Sequence, residues 1–285
     1  MRAEPLGPVR AELGEGPVWA PEEGRLHWLD VLGQARHVTD PETGETQTHP
    51  LPRLTSCLAR RQGGGWVAAG GQALHAVEEG QDGPRLAALP EGTYGRFNDG
   101  KCDAAGRLWI GTANAEGRFD CHLYRIPPGG APERVVDGIA MSNGLGWSPD
   151  GRVMYYADST AQALYAFDFE VGTGALTNQR RLFETTGDEV PDGLSVDAEG
   201  HVWLALWGGG RLVRLTPAGE VAAEVHFPTP RVSSCAFGGA GLETLFVTTA
   251  KEGASEEERA ADPMMGALFR LDPGIAGLPV AMFGG

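Results

Sequence analysis

Four residues of the 285-residue chain, Glu15, Asn98, Asn143 and Asp192, sit at one recurring position of an internal repeat and carry carboxylate or carboxamide oxygens. Ser56 and Ser233 fill the same position in two further copies, so none of the six is apolar. Two carboxylates and two amides make a hard oxygen set of charge −2, suited to Ca²⁺, Mg²⁺ or Mn²⁺ rather than to a thiolate-seeking metal. Taken singly, Asn-Gly and Asp-Gly steps read as tight turns that exploit left-handed backbone. Four in register within a repeat favour a site. Arg96 brings a guanidinium two residues before Asn98, fit either to bind a substrate oxygen or to pair with a nearby carboxylate. Glu116, just after an expected strand, is placed to reach the same region or to remain a solvated loop charge.

The repeat is defined by offsets. Each anchor precedes a turn glycine by eight positions, in Ser56/Gly64, Asn98/Gly106, Asn143/Gly151, Asp192/Gly200 and Ser233/Gly241; Glu15/Gly24 has one extra residue. Successive anchors are 41, 42, 45, 49 and 41 residues apart. Glycine before each following strand supplies the positive φ of a hairpin turn. The strands themselves, RLHWLD, RLWIGT, RVMYYA, HVWLAL and ETLFVTT, are rich in β-branched and aromatic residues.

Four short strands per unit match one propeller blade, and six units account for nearly the whole chain. The spacing leaves no room for the helical crossovers of a parallel α/β sheet. The expected fold is therefore all-β: a single six-bladed β-propeller over 1–285 with a central metal-containing channel. If the anchors are equivalent, they begin the innermost strands and ring one mouth of that channel. Ring closure requires the segment before Glu15 to pair with the last unit, near ALFRLDPG or PVAMFGG. The one helical candidate is SEEERAAD at 255–262, where Ser255 and Glu258 form a capping box.

Composition narrows the function. Lys plus Arg total 23 and Asp plus Glu total 38, a formal charge of −15, which argues against nucleic-acid and anionic-membrane partners. No apolar run approaches a membrane span, and charges and prolines at the start argue against a signal peptide. Four cysteines without a CxxC pair fit reduced thiols, so a cytoplasmic location is expected. GRFNDGKC (95–102) approaches a phosphate-binding loop, but Cys102 stands where Ser or Thr would hold Mg²⁺ and no helix follows. There is no GxSxG elbow, and the seven histidines form no HExxH or HxH pair. Trp19, Trp28, Trp66, Trp109, Trp147 and Trp203 are expected in equivalent strands as blade packing.

In order along the chain, LGEGPVW (13–19), RFNDGK (96–101), GRLWIGT (106–112), SNGLGWS (142–148), VMYYAD (153–158), PDG (191–193) and SSCAFGG (233–239) resemble the gluconolactonase, regucalcin (senescence marker protein 30) and luciferin-regenerating enzyme family. The resemblance implies a six-bladed propeller with one divalent metal, Ca²⁺ foremost, with Zn²⁺, Mg²⁺, Mn²⁺ or Fe²⁺ as alternatives. Glu15, Asn143 and Asp192 look like the metal ligands. Asn98 is similar to a residue that touches substrate and often the metal's water, and Arg96 looks like a substrate-binding side chain. Glu116 occupies a place that in some members contacts sugar hydroxyls, in a loop that departs from the family pattern. The implied activity is hydrolysis of aldonic-acid lactones, with the metal as Lewis acid and Asp192 as candidate general base, a second base remaining open. The rival readings are a related propeller esterase acting on organophosphates and a propeller that serves only as a binding scaffold. The expected partner is a small sugar lactone, and the chain is expected as a monomer or weak homo-oligomer.

Overall fold

In the computed structural model, whose described residues are 1–78, 81–114 and 116–285, six four-stranded antiparallel sheets follow one another along the chain. Ala115, inside the GTANAEG segment that carries Glu116, lies outside the described residues. The inner strands of blades 1 to 6 are Gly14–Ala20, Cys57–Arg60, Arg96–Cys102, Ser142–Trp147, Val190–Val196 and Val232–Gly238. Each contacts the inner strands of both neighbouring blades, so the ring is closed around a channel. The six-bladed propeller is thus the observed architecture.

Closure comes from the N-terminus. Strand Glu4–Arg10 pairs with Ala267–Leu271 and becomes the outermost strand of blade 6, whose other three strands come from the C-terminal unit. That is the first of the two expected pairings. The final residues take another route: Phe283 bridges Arg61 of blade 2, and Arg61 Nε donates to the Gly285 carbonyl at 2.8 Å.

The repeat's local chemistry behaves as its composition dictates. All six turn glycines, Gly24, Gly64, Gly106, Gly151, Gly200 and Gly241, adopt positive φ between +60° and +91°. The blades stack face to face, so their middle strands are covered on both sides. Val202, Trp203, Leu204, Ala205 and Leu206 are all fully buried, which replaces period-two alternation with a continuous apolar run. Core clusters lie between blades, as where Val67 and Leu74 of blade 2 meet Phe97, Leu108 and Ile110 of blade 3.

Tryptophans do pack the blades, but in two kinds of strand. Trp28, Trp66, Trp109 and Trp203 occupy second strands, whereas Trp19 and Trp147 belong to inner strands. Two of the second-strand indoles are held by a buried aspartate. Asp103 Oδ2 accepts from Trp109 Nε1 at 2.7 Å and from Arg107 Nε at 2.6 Å. Asp197 Oδ2 likewise accepts from Trp203 Nε1 at 3.0 Å and from Arg214 Nε at 2.8 Å.

The short helix Glu256–Ala261 has the expected capping box, with Ser255 and Glu258 bonded in both directions. All four cysteines are free and buried. No helix among the described residues is long and apolar enough to cross a membrane.

Candidate metal centre

Five of the six anchors, all but Ser56, lie at irregularities where inner strands enter their blades. Register shifts fall between Glu15 and Val18, Phe97 and Gly100, Ser142 and Leu145, Pro191 and Leu194, and Val232 and Ser234. An extra residue in a bulge leaves a side chain free of the pleat and re-aims it, and Glu15 and Asp192, from blades 1 and 5, lie within electrostatic reach of each other. The Asn-Gly and Asp-Gly steps are therefore bulges and not hairpin turns. Their glycines serve close approach: a Cβ on Gly144 would lie 2.5 Å from the Asp192 carbonyl oxygen, and one on Gly193 would lie 2.1 Å from Ser234 Oγ.

Arg96, Asn98 and Asn143 form a hydrogen-bonded chain, with Glu15 and Asp192 beside each other within electrostatic reach. Asn143 is fixed by its Nδ2, which donates to Ser159 Oγ at 2.8 Å, while Ser159 Oγ donates to the Pro191 carbonyl at 2.7 Å. Asn98 Nδ2 donates to the Ser142 carbonyl at 2.8 Å and to Asn143 Oδ1 at 3.2 Å. Arg96 Nη1 in turn donates to Asn98 Oδ1 at 2.8 Å and to the Phe97 carbonyl. Glu15 Oε2 accepts from the Gly16 backbone N–H at 3.1 Å. Asp192 is buried, and its Oδ1 has no hydrogen-bond partner among the described residues.

Two carboxylates share this enclosure. Burial raises the Glu15 carboxyl above its ordinary range, and the nearby Asp99 adds to the shift. Glu15 is partly exposed but closely surrounded by protein atoms. Burial raises Asp192 well above the usual carboxylate range too, with Glu15 and Asp99 as further causes. Such a pair is costly without a compensating cation.

Among the described residues, no three His, Cys, Asp or Glu side chains form a ligand set, so a site here must include an amide. Glu15, Asp192 and the Asn143 carbonyl oxygen provide that mixture of hard donors. The unpartnered Asp192 Oδ1 and the desolvated carboxylates fit a divalent cation in the Ca²⁺ class.

The two serine anchors play another part. Ser56 Oγ donates to the Phe97 carbonyl at 2.8 Å, and Ser233 Oγ bonds the Gly14 carbonyl, stitching blade 2 to 3 and blade 6 to 1. Glu116 lies on an exposed loop, 3.9 Å from Arg118, whose guanidinium covers the Tyr94 ring. Among the described residues, no hydrogen bond or ion pair ties it to the anchors.

Spacing alone did not reveal Asp99, Lys101 or Glu252. Burial raises Asp99 and lowers Lys101, each opposed by the other's charge. Lys101 Nζ donates to the Leu194 carbonyl at 2.7 Å across the channel, and its segment is an inner strand. The phosphate-loop alternative falls with that. Further along the inner strands a cavity of about 390 Å³ is lined by Cys57, Asp99, Lys101 and Cys235, among mostly apolar residues, and by the tail residues Leu278–Ala281. Glu252, in the last blade's insertion, lies within electrostatic reach of Arg96, Glu15 and Asp192. Asp103 and Asp197 had a legible signal, the shared D-x-x-G-x-x-W spacing.

The SMP-30/Gluconolactonase/LRE-like region matches residues 13–251. Regucalcin of Danio rerio is 36% identical over 275 residues, covering 94% of this chain and 93% of that protein. The 6-deoxy-6-sulfogluconolactonase of Pseudomonas putida is 35% identical over 277 residues, covering 96% of this chain and 95% of the enzyme. The crystal structure of a calcium-binding protein, regucalcin, from Agrobacterium tumefaciens superposes with a TM-score of 0.91 at 28% identity, covering 98% of this chain and 96% of that one.

Proposed function

This chain belongs to the SMP-30/Gluconolactonase/LRE-like family, and from that premise we propose that it is a metal-dependent lactonase that opens sugar (aldonic acid) lactones. The observation that carries the reading is the buried, unpartnered Asp192 Oδ1 in an enclosure shared with Glu15 and Asn143. We assign Glu15, Asn143 and Asp192 as metal ligands. Ca²⁺ is the first choice, supported by the hard donor set and by the calcium-binding relative.

When bound, the ion supplies Lewis acidity toward the lactone carbonyl. The chain's own residues do the rest. The Asp192 carboxylate oxygen not engaged by the ion takes a proton from the attacking water as the water's oxygen bonds the carbonyl carbon. The ring C–O bond then breaks as Asp192 passes that proton to the ring oxygen, and a hydroxy acid results. Ligation lowers the basicity of a carboxylate, so Asp192 works as base through the oxygen left over from binding. Arg96 and Asn98, already joined to each other and to Asn143, orient the lactone oxygens. Glu116 is assigned to the rim, where sugar hydroxyls pass. Four buried free thiols support a reducing, cytoplasmic setting, and residues 1–285 act as one propeller unit.

The test is hydrolysis of D-glucono-δ-lactone by purified protein, after exhaustive chelation and after reloading with Ca²⁺, Mg²⁺, Mn²⁺ or Zn²⁺. Activity that disappears with chelator and returns with metal is expected. Unchanged activity in chelator would remove the metal from the mechanism. Turnover of a phosphotriester in place of every lactone would favour the esterase alternative, and no turnover with no metal binding would favour a scaffold.

A further inference from the structure

Glu252 follows the innermost hairpin of blade 6 and is held beside the start of blade 1. Ala250 bridges Leu13, and the Lys251 and Glu252 backbone N–H groups both donate to the Glu12 carbonyl at 2.9 Å. Glu252 is thereby fixed at the mouth where Glu15 enters the channel. The segment is pinned from two more directions. Lys251 Nζ donates to the Arg10 carbonyl at 2.8 Å, and the Arg259 guanidinium pairs with Glu12 while donating to the Ala254 and Lys251 carbonyls.

The Glu252 carboxylate is half-buried, and none of the described residues donates a hydrogen bond to it. Arg96 and Arg231 are the cations whose charge acts on it, and neither forms an ion pair with it. Arg96 spends Nη1 on Asn98 and Phe97, leaving Nε and Nη2 without partners among the described residues. Arg231 Nη1 is buried and also lacks a partner. Beside Glu15 and Asp192 there is thus one open acceptor next to the unengaged Nε and Nη2 donors of Arg96. That pattern complements the hydroxyl groups of a polyol, each of which both donates and accepts.

We propose that Glu252 is a specificity-determining residue, whose carboxylate accepts a hydrogen bond from a hydroxyl of the bound lactone and so selects polyhydroxylated lactones over unsubstituted ones. This assignment rests on the lactonase reading above. A site built to bond a substrate hydroxyl rejects analogues lacking it, because its own polar group is then left unpaired.

The experiment compares metal-loaded wild type, Glu252→Ala and Glu252→Gln on D-glucono-δ-lactone and δ-valerolactone, with calorimetric metal titration of each. For Glu252→Ala, kcat/KM on the sugar lactone should fall about 10- to 100-fold, the range of one charged hydrogen bond, mostly through KM. The milder Glu252→Gln should lose less, and δ-valerolactone turnover and metal affinity should stay within about twofold. Equal losses on both lactones, as expected if Glu252 merely positions Arg96, would overturn the assignment. So would no loss on either lactone, or weakened metal binding. A wild-type protein that hydrolyses neither lactone would instead defeat the lactonase reading itself, and with it this assignment.

Discussion

Asn98 donates its carboxamide N–H to Asn143 Oδ1 at 3.2 Å, joining residues 45 positions apart in the inner strands of adjacent blades. The same Asn98 amide receives Arg96 through its oxygen. A candidate ligand and a candidate substrate-binding arginine are therefore mechanically coupled through one side chain.

Asn98→Ala removes both links. The expected result is a fall of about 10- to 100-fold in kcat/KM on a sugar lactone, corresponding to two or three modest hydrogen bonds. Steady-state kinetics on the metal-loaded variant check this. A variant within twofold of wild type would show that the link does not position substrate.

Glu15→Gln and Asp192→Asn keep side-chain size and remove charge. Both should abolish divalent-metal binding by calorimetry and reduce lactone hydrolysis to background. In chelator, both should raise the thermal midpoint above that of the wild type, because each relieves two desolvated carboxylates of their mutual repulsion. A lower midpoint in the metal-free state would contradict the view that this site trades stability for binding.

Gly144→Ala tests the closeness of the ring. Its Cβ would meet the Asp192 carbonyl oxygen at 2.5 Å and the Leu194 nitrogen at 2.8 Å, both backbone atoms that cannot swing aside. A loss of about 1–3 kcal/mol in denaturant unfolding is expected, along with weaker metal binding as Asp192 is displaced. Unaltered stability would mean that the blades separate more readily than their packing indicates.

His37 gives the protein an acid-sensitive element remote from the channel. It is buried against Trp28, with Nδ1 2.9 Å from Thr48 Oγ1, and burial lowers its pKa. The folded state thus disfavours the proton that the unfolded chain accepts near pH 6.5, so stability is complete above that pH and declines as pH falls below it. His37→Gln should flatten the stability profile between about pH 7 and pH 5. An unchanged slope would assign the acid sensitivity to other groups.

Much of the fold was legible because a hairpin is a local object. The eight-residue interval from anchor to turn glycine, the positive-φ glycines and the Ser255 capping box depend on neighbours within a few positions, and the structure reproduces them. Even ring closure followed from the need to cover blade edges. The anchors were legible as a class for the same reason.

Which anchors face the channel was decided elsewhere. Ser56 and Ser233 hold the same repeat position as Asn143 and Asp192, yet both bond neighbouring backbone, since a short hydroxyl reaches the adjacent strand before it reaches the axis. Lys101, in the segment that only approaches a phosphate-binding loop, donates to the Leu194 carbonyl two blades further round the ring. Glu252 lies outside the repeat register and enters the mouth only because its backbone is docked on Glu12, 240 residues away in the chain. The amino-acid order by itself determined the blades, their number and the polar ring position. Which side chains stand near one another was decided by the rotation of six blades about an axis, which brings together residues that no chain interval relates.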